Sequence, residues 1–515
     1  MSSSQRLLST YICGPKAHVS QPSPIPEGDW LPEFISWLHA NGASGVNQPG
    51  AKLALYEEEA EAGNPANRGV LFTEAVGDVT AEAPLLRVPL RLGIWDKGAQ
   101  IHKQCPGLTE LGCLALALLE EVSQGSGSQR WPWLRVLPRE VPSLYGSFPV
   151  ELHSELEGFV PAADLDKARH RAAQERAAAA PRSRAFCLEQ LRWALSVVHS
   201  RALAVPGPGG VIVPMLVPMI DMFNHGNFAG SSIPDIDSGL TQSSTFLEQN
   251  AAGPSENVRW QVNQSEQGDW EVQIVATQQF EPGEEALFSY GARGQPSAYF
   301  MLHYGFVPVC NSYDEAILFT SSQEALAWVL QKYPPETLHA ASTDAVQERR
   351  RAAEHKAASI AKGASDGTAL HPDELESLPL LKVYGRGQTQ AIDGRLVAAL
   401  QALHGGAEGA EAYARAVVGT RCRELLGRSG WTSLREDLRS LIQGGSNWSQ
   451  YWEATLQKCE RAWELEQTGS FHEGLCDRGK GNCSPSSSEA MVNVSALRAS
   501  QKLILWTYIL SQPPT

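Results

Sequence analysis

The chain has 515 residues, of which 43% are hydrophobic and 19% are charged, and its formal net charge at pH 7 is −15. This length allows roughly two to three domain-sized units with buried cores. An acidic chain without a cluster of Lys and Arg is not expected to bind nucleic acid, because that binding depends on basic side chains at phosphates. The nine cysteines lack paired CxxC spacing, so a reduced compartment without a structural metal is expected.

The first 25 residues are rich in serine and contain Arg6, Lys16 and His18, but no acidic residue before Glu27. This composition is compatible with an organelle transit peptide, although the small number of basic residues favours a disordered tail. The compartment therefore stays open between chloroplast, cytoplasm and nucleus. No apolar run approaches the roughly 20 residues that a membrane-spanning helix needs, so no membrane partner is expected.

After the tail, the sequence predicts both helices and strands. A helix is predicted after Asp29, where Trp30, Phe34 and Leu38 follow helical spacing. The short runs "RGVLFTEAV" and "PLLRVPLRLGIW" are typical of strands. The segment "LTELGCLALALLEEV" is apolar on nearly all faces, which predicts a helix buried in a bundle.

Helices, a long loop and strands are all predicted in the middle of the chain. Residues 163–180 are Ala-rich and charged, which predicts a solvated helix or an insertion, and the helix that follows is expected to end at Arg201. Residues 226–257 lack periodicity and read as a long surface loop. "WEVQIVAT" predicts a half-buried strand, "ALFSY" a second strand, and "PSAYFMLHYG" a short helix with Pro296 near its start and Gly305 as its stop.

Helical patterns dominate after Tyr313, which indicates a domain boundary there. The predicted division is a tail of residues 1–25, a mixed domain over residues 26–312 with a helical insertion at about 106–185, and a helical domain over residues 313–515 with a low-complexity stretch at 337–366.

Two groups of side chains could carry chemistry. Asp221, Asn224 and His225 end the otherwise apolar segment "VPMIDMFNHGN", and Tyr290 and Tyr304 lie in "LFSYGARGQPSAYFMLHYGFVP". Taken singly, each group is explained by a turn with satisfied hydrogen bonds or by tyrosines at the edge of a core. A hydrolase built on the Asp and His is not favoured, because no serine or cysteine lies in a recognisable nucleophile motif.

Seven motifs in one order resemble the SET-domain protein methyltransferases typified by Rubisco large-subunit methyltransferase. They are "NRGVLF", "PLLRVPLRLGIW", "WPWLRVLP", "LRWALSVVHSRAL", "VPMIDMFNHGN", "EPGEEALFSYG" and "LHYGFVP", and they cover most of residues 30–310. The resemblance implies an α+β fold of short curved β-sheets with a helical insertion, followed by a mostly α-helical substrate-binding domain. It also implies that the Asn-His and Tyr-bearing segments cross in a knot-like arrangement.

The resemblance further implies S-adenosylmethionine as methyl donor and a lysine side chain of a protein substrate as acceptor. It assigns donor binding to Arg68, Gly69, Arg201, Asn224 and His225, catalysis to Tyr290 and Tyr304, and substrate contacts to Asp221 and Tyr290. It implies no metal ligands. The cysteine-rich zinc segment of many histone-directed SET domains is absent, so a non-histone protein substrate is expected, with the chain acting as a monomer.

Two alternatives stay open at the level of the sequence. Histidine methylation is compatible with the same resemblance. A non-catalytic SET-like scaffold that only binds proteins is the other alternative, because residues 294–297 read "GQPS" where the group commonly has Ser-Asn.

Overall fold

The structure is a computed structural model. It describes residues 30–57, 68–75, 83–96, 101, 105, 107–138, 150–179, 186–207, 211–226, 256–265, 267–290, 295–308, 311, 313–333, 344–353, 381–384, 392–404, 409–428, 432–443, 452–453, 455–457, 459–460 and 489–510. The predicted tail, most of the predicted loop at 226–257 and most of the stretch at 337–366 lie outside the described residues.

Helices make up most of the insertion and of the C-terminal part. In chain order they are α1 (Trp30–Ala40), α2 (Glu110–Ser123), α3 (Trp131–Leu134), α4 (Val150–Ser154), α5 (Ala162–Ala179), α6 (Leu188–Arg201), α7 (Ser297–Tyr304), α8 (Ser322–Lys332), α9 (Gly394–His404), α10 (Ala410–Leu426), α11 (Leu434–Gln443) and α12 (Glu489–Leu510). Residues 344–353 are also helical.

The strands are short and form several small sheets. In chain order they are β1 (Leu53–Glu57), β2 (Arg68–Phe72), β3 (Leu86–Pro89), β4 (Ile94–Trp95), β5 (Leu203–Pro206), β6 (Ile212–Leu216), β7 (Asn224–His225), β8 (Val258–Gln264), β9 (Trp270–Ala276), β10 (Leu287–Phe288), β11 (Glu315–Phe319) and β12 (Leu381–Tyr384). The sheet orders are β1-β2, β3-β9-β8, β4-β6-β5, β10-β7 and β11-β12. All these pairings are antiparallel except β10 with β7, which is parallel.

Local patterns placed two helices correctly. In α1, Trp30, Phe34 and Leu38 are buried as their spacing predicts. Helix α2 is buried on several faces, and the Thr109 hydroxyl caps its start by accepting a hydrogen bond from the backbone N–H of Gly112 at 3.0 Å.

The prediction of a half-buried strand in "WEVQIVAT" is wrong, because β9 is the central strand of its sheet. Glu271 and Gln273 are buried, while Trp270 is exposed. Their polar groups are satisfied by hydrogen bonds: Arg87 Nη1 donates to Glu271 Oε1 at 2.8 Å, and Gln273 Nε2 donates to the same oxygen at 2.6 Å. Polar residues with partners can be buried at positions where a local pattern expects solvent.

Three groups of buried apolar residues organise the described chain. The largest runs from α1 to β10, and the second joins β11, β12 and the C-terminal helices. The third joins Leu152 and Leu156 of the insertion, Met301 of α7 and Leu497 of α12. Helix α7 is therefore held between the insertion and the last helix, which fixes the direction in which its final residue, Tyr304, projects.

The predicted α+β class, with short sheets and a mostly helical C-terminal part, is confirmed. The exact domain bounds stay a prediction. Within the described residues, no helix has the length and apolar character needed to cross a membrane.

Candidate active site

The site forms where two distant segments pair. Strand β7 lies parallel to β10, with Asn224 opposite Leu287 and His225 opposite Phe288. The backbone N–H of Gly226 donates to the carbonyl of Phe288 at 3.0 Å and extends the pairing. The polar end of "VPMIDMFNHGN" and the start of the tyrosine motif are thereby brought together.

A tight turn directs the polar residues of this segment. Met219 is fully buried and has φ of 73°, a left-handed backbone conformation that is unusual for a residue other than glycine. A single 3₁₀ turn, Ile220–Met222, follows and leads into β7. This strained backbone persists because the surrounding core holds it, and it directs Asp221 inward.

Asn224 lies at the centre of a hydrogen-bond network. Its Nδ2 donates to the carbonyl of Arg68 at 2.9 Å and to Glu285 Oε1 at 2.7 Å. The hydroxyl of Tyr56 donates to the same Glu285 oxygen at 2.9 Å. A Cβ on Gly69 would lie 2.4 Å from Glu285 Oε1 and 2.6 Å from Tyr56 Cε1, so any larger residue at this position would displace the side chains of the network.

The side chain of Arg68 is directed away from Asn224. Its Nε donates to Glu57 Oε1 at 2.7 Å, and its Nη1 donates to the carbonyl of Val136 at 2.9 Å. Its guanidinium also lies over the ring of Trp30, 4.6 Å from the centroid. Within the site, Arg68 therefore contributes its backbone carbonyl.

Buried Asp221 and half-buried Arg201 form a polar pair beside the site. Trp133 Nε1 donates to Asp221 Oδ2 at 3.1 Å, and Arg201 Nη1 donates to the backbone carbonyl of Asp221. Asp221 Oδ1 and Arg201 Nε are buried without a hydrogen-bond partner. Burial raises the pKa of Asp221 from 3.8 to about 6, against the opposing effects of Arg201 and Trp133.

This raised pKa predicts that Asp221→Asn stabilises the protein in a pH-dependent way. The folded state keeps the Asp221 proton up to about pH 6, whereas the unfolded state loses it near pH 3.8. The contribution of Asp221 to the stability of the wild type therefore falls as the pH rises through this window, by an amount on the order of 3 kcal/mol. Asparagine does not titrate, so the free energy of unfolding of Asp221→Asn minus that of the wild type should increase across the window and then stay constant.

Urea denaturation from about pH 4 to about pH 7 measures this difference. The matched control is Asp269→Asn, whose side chain is exposed, and it should show no such increase. A difference for Asp221→Asn that is independent of pH, or that shrinks with rising pH, contradicts the prediction.

Tyr290 links the two paired segments. Its hydroxyl donates to the carbonyl of Phe223 at 2.5 Å, and its backbone N–H donates to His225 Nδ1 at 3.1 Å. When His225 is neutral, its proton is consequently on Nε2. Burial raises the pKa of Tyr290 to about 12, so its hydroxyl remains protonated at neutral pH.

Tyr304 completes an aromatic cluster around Tyr290. Its ring centroid is 5.4 Å from that of Tyr290. The cluster is formed by His225, Tyr290, Tyr299, Phe300, Tyr304 and Phe306, whose neighbouring ring centroids lie 4.6 to 6.3 Å apart. Burial, and next the nearby Tyr299, raise the pKa of Tyr304 above its usual range. Both tyrosine hydroxyls are therefore neutral groups.

Helix α7 positions Tyr304 within this cluster. The helix begins at Ser297, directly after Pro296, and both the backbone N–H and the hydroxyl of Ser297 donate to Asp314, at 2.6 and 2.8 Å. It ends at Gly305, where φ is 80°, as the sequence predicts. The part of the altered "GQPS" segment that is described, residues 295–297, thus forms an ordered helix start.

Sequence comparison finds relatives among protein methyltransferases. The actin-histidine N-methyltransferase of Gallus gallus is 26% identical over 305 residues, with 56% of this chain and 44% of that protein covered. The Homo sapiens protein of the same name gives the same identity over the same length and coverage. The match therefore spans less than half of the length of these relatives. No family model matches the chain.

Among solved structures, the chain is similar to the SET domain of LSMT in its crystal structure with lysine and AdoHcy. The TM-score is 0.45 and the identity 15%, with 94% of this chain and 91% of that chain covered. The sequence relatives bear out the predicted resemblance to protein methyltransferases. The roles of individual residues stay predictions, because these similarities assign none of them.

Several residues of the site were missed from the sequence. Glu285 and Tyr56 share the hydrogen-bond network of Asn224, and Trp133 contacts Asp221. Of these features, only the aromatic cluster could be recognised in the sequence, because "AYFMLHYGF" contains several aromatic residues within a few positions. Glu285 had none, because its partners come from β1 and β7 and no local pattern connects them.

Proposed function

We propose that this chain is an S-adenosylmethionine-dependent protein methyltransferase that transfers a methyl group to a side-chain nitrogen. The observation that carries the proposal is the parallel pairing of β7 with β10, because it places Asn224, His225 and Tyr290 at one half-buried site. The names of the sequence relatives support the reaction class.

The residues of this site fit a cationic donor. Asn224 Nδ2 donates to Arg68 and Glu285, while its Oδ1 accepts no hydrogen bond within the described part of the chain. That oxygen suits the ammonium group of the donor's amino-acid portion, and the Glu285 carboxylate beside it favours a positive charge. The N–H at Arg201 Nε is buried and has no hydrogen-bond acceptor. It suits the carboxylate of S-adenosylmethionine. When bound, S-adenosylmethionine supplies a methyl group on a positively charged sulfur.

The chain's own residues position the reactants. Methyl transfer is an in-line displacement, so the enzyme needs to hold both reactants in near-attack geometry and needs little covalent chemistry of its own. Aromatic ring faces accommodate positive charge, and a tyrosine oxygen can accept weak CH···O contacts from a polarised methyl group. The Tyr290 oxygen keeps lone pairs for this role, because its hydroxyl acts as donor towards Phe223.

Lysine is the acceptor predicted from the sequence. Its ammonium form, with an ordinary pKa of about 10.4, has to lose a proton before it can attack. An apolar, aromatic channel lowers that pKa because burial disfavours the charged form. Tyr290 does not act as the base, since its own pKa of about 12 keeps it protonated.

Histidine is the second candidate acceptor, and the names of the sequence relatives favour it. A neutral imidazole, with an ordinary pKa of about 6.5, is already nucleophilic at neutral pH. It requires no deprotonation by the enzyme, which is compatible with a site whose two tyrosines remain protonated.

Titration calorimetry with S-adenosylmethionine and with S-adenosylhomocysteine tests donor binding. Both should bind the wild type, and Asn224→Ala should weaken that binding by about tenfold or more through the loss of its carboxamide. The matched control is Asn263→Ala, which removes an exposed carboxamide bound to Gln273 and should leave donor binding unchanged. Absence of binding heat with the wild type contradicts the proposal.

The transfer itself is tested with labelled donor, purified protein and a cell extract. Mass spectrometry of the labelled proteins identifies the modified residue and so distinguishes lysine from histidine. If the donor binds but no protein in the extract becomes labelled, the chain is the non-catalytic scaffold.

A further inference from the structure

An arginine without an ion pair lies beside the site. Arg171 of α5 is half-buried, and its Nη1 lies 3.5 Å from His303 Nδ1. Within the described part of the chain, its guanidinium pairs with no carboxylate. A half-buried guanidinium that contacts a histidine and forms no ion pair with a carboxylate can still bind an anion supplied from outside.

Charged side chains of both signs lie near Arg171 on α5. Lys167 lies one helical turn earlier and is exposed, and it acts on His303 electrostatically. Glu175, one turn later, is buried, and its Oε1 accepts a hydrogen bond from the Thr109 hydroxyl at 2.5 Å. Burial raises the pKa of Glu175, while the Thr109 hydroxyl and Arg171 act in the opposite direction.

Two histidines near Arg171 remain neutral. Burial, and next Arg171, lower the pKa of His199 to about 4, and the same two causes lower the pKa of His303. Asp164 acts on His303 in the opposite direction. The cations that act on His303 are therefore Arg171 and Lys167, and Asp164 opposes them.

The surface is connected to the aromatic cluster through His303. The ring centroid of His303 is 4.4 Å from that of Tyr299, and Tyr299 lies 6.2 Å from Tyr304. Arg171 is thus two side chains away from a tyrosine predicted to orient the acceptor. A peptide that presents its acceptor to Tyr304 would place neighbouring residues close to α5.

We propose that Arg171, supported by Lys167, binds a carboxylate side chain of the protein substrate that lies within a few residues of the methylated nitrogen. This inference rests on the proposed function. The planar guanidinium matches a carboxylate with two parallel hydrogen bonds, which fixes both position and orientation. The chain carries a formal net charge of −15, so acidic segments are repelled by most of the molecule and Arg171 offers them a favourable contact.

The test uses the protein that the wild type methylates in the labelled-donor experiment. Arg171→Ala should raise KM for that substrate about tenfold with kcat unchanged, because a charged hydrogen bond made equally before and during transfer is lost. Replacing the neighbouring Asp or Glu of the substrate with Asn or Gln should raise KM for the wild type equally, and should have no further effect with Arg171→Ala. Arg171→Lys should retain part of the affinity.

Arg169→Ala is the matched control on the same helix. Its guanidinium pairs with Asp166 at 3.3 Å, and its removal should leave KM unchanged. Donor binding by calorimetry should be the same for all variants, which separates a substrate effect from misfolding. Equal KM for the wild type and Arg171→Ala, or methylated sites without Asp or Glu nearby, overturns the subsite and leaves the proposed function intact. Absence of methylation by the wild type overturns the proposed function, and the subsite with it.

Discussion

Tyr290→Phe is expected to lower kcat on the order of 100-fold, or about 2.7 kcal/mol of transition-state stabilisation. The change removes the oxygen at the junction of β7 and β10 and leaves the Phe223 carbonyl without its donor. The ring remains, so the aromatic packing against Tyr304 and Phe306 is retained. A CH···O contact with the methyl group is weak, so the affinity for S-adenosylmethionine should change little, and the loss should appear in single-turnover methylation with saturating methyl donor.

Tyr413→Phe is the matched control for this substitution. Tyr413 is also a tyrosine with a pKa raised by burial, but it lies in α10 and packs against Tyr333 and His404. Its substitution should not change kcat. If Tyr290→Phe and Tyr304→Phe both methylate as fast as the wild type, neither hydroxyl orients the reactants and the catalytic assignments are wrong.

Asp437→Ala is expected to lower the free energy of unfolding by about 3 to 5 kcal/mol, because it removes the ion-pair partner of buried Lys502 and one of the two ion-pair partners of Arg498. Asp437 is fully buried and accepts hydrogen bonds from Arg498 Nε and Nη2 at 3.0 and 2.8 Å and from Lys502. The Thr432 hydroxyl donates to it as well, at 2.6 Å. Burial already lowers the pKa of Lys502, and Asp437 is the main group that opposes this effect.

Urea denaturation measures this loss as a shift of the transition midpoint. Glu411→Ala is the control, because its partner Arg415 is exposed on the same helix and such a pair contributes about 0 to 1 kcal/mol. A loss for Asp437→Ala no larger than that for Glu411→Ala contradicts the prediction.

The Asp437 cluster also ties the C-terminal helices to the candidate site. Arg498 pairs with Glu155 of the insertion in addition to Asp437. On the same helix α12, Asn493 Nδ2 donates to the carbonyl of Gly305 at 2.7 Å, directly after Tyr304. Weakening of α12 should consequently reduce methylation as well as stability.

The sequence by itself determined the class of the fold and the identity of the main segments. Helix α1 follows from the spacing of Trp30, Phe34 and Leu38, and the end of α7 follows from Gly305, because both depend on residues within a few positions of each other. The order of the motifs was sufficient for the resemblance to protein methyltransferases, which the sequence relatives bear out.

Only the tertiary structure decided which side chains share the site. Glu285 meets Tyr56 across 229 residues and Asn224 across 61, and Arg171 reaches His303 across 132. The burial of Glu271 and Gln273 in β9 likewise depends on neighbouring strands. A local sequence pattern reflects the secondary-structure preference of the backbone over one or two turns. These contacts arise instead from the packing of elements that are distant along the chain. No periodicity in the sequence therefore specifies them.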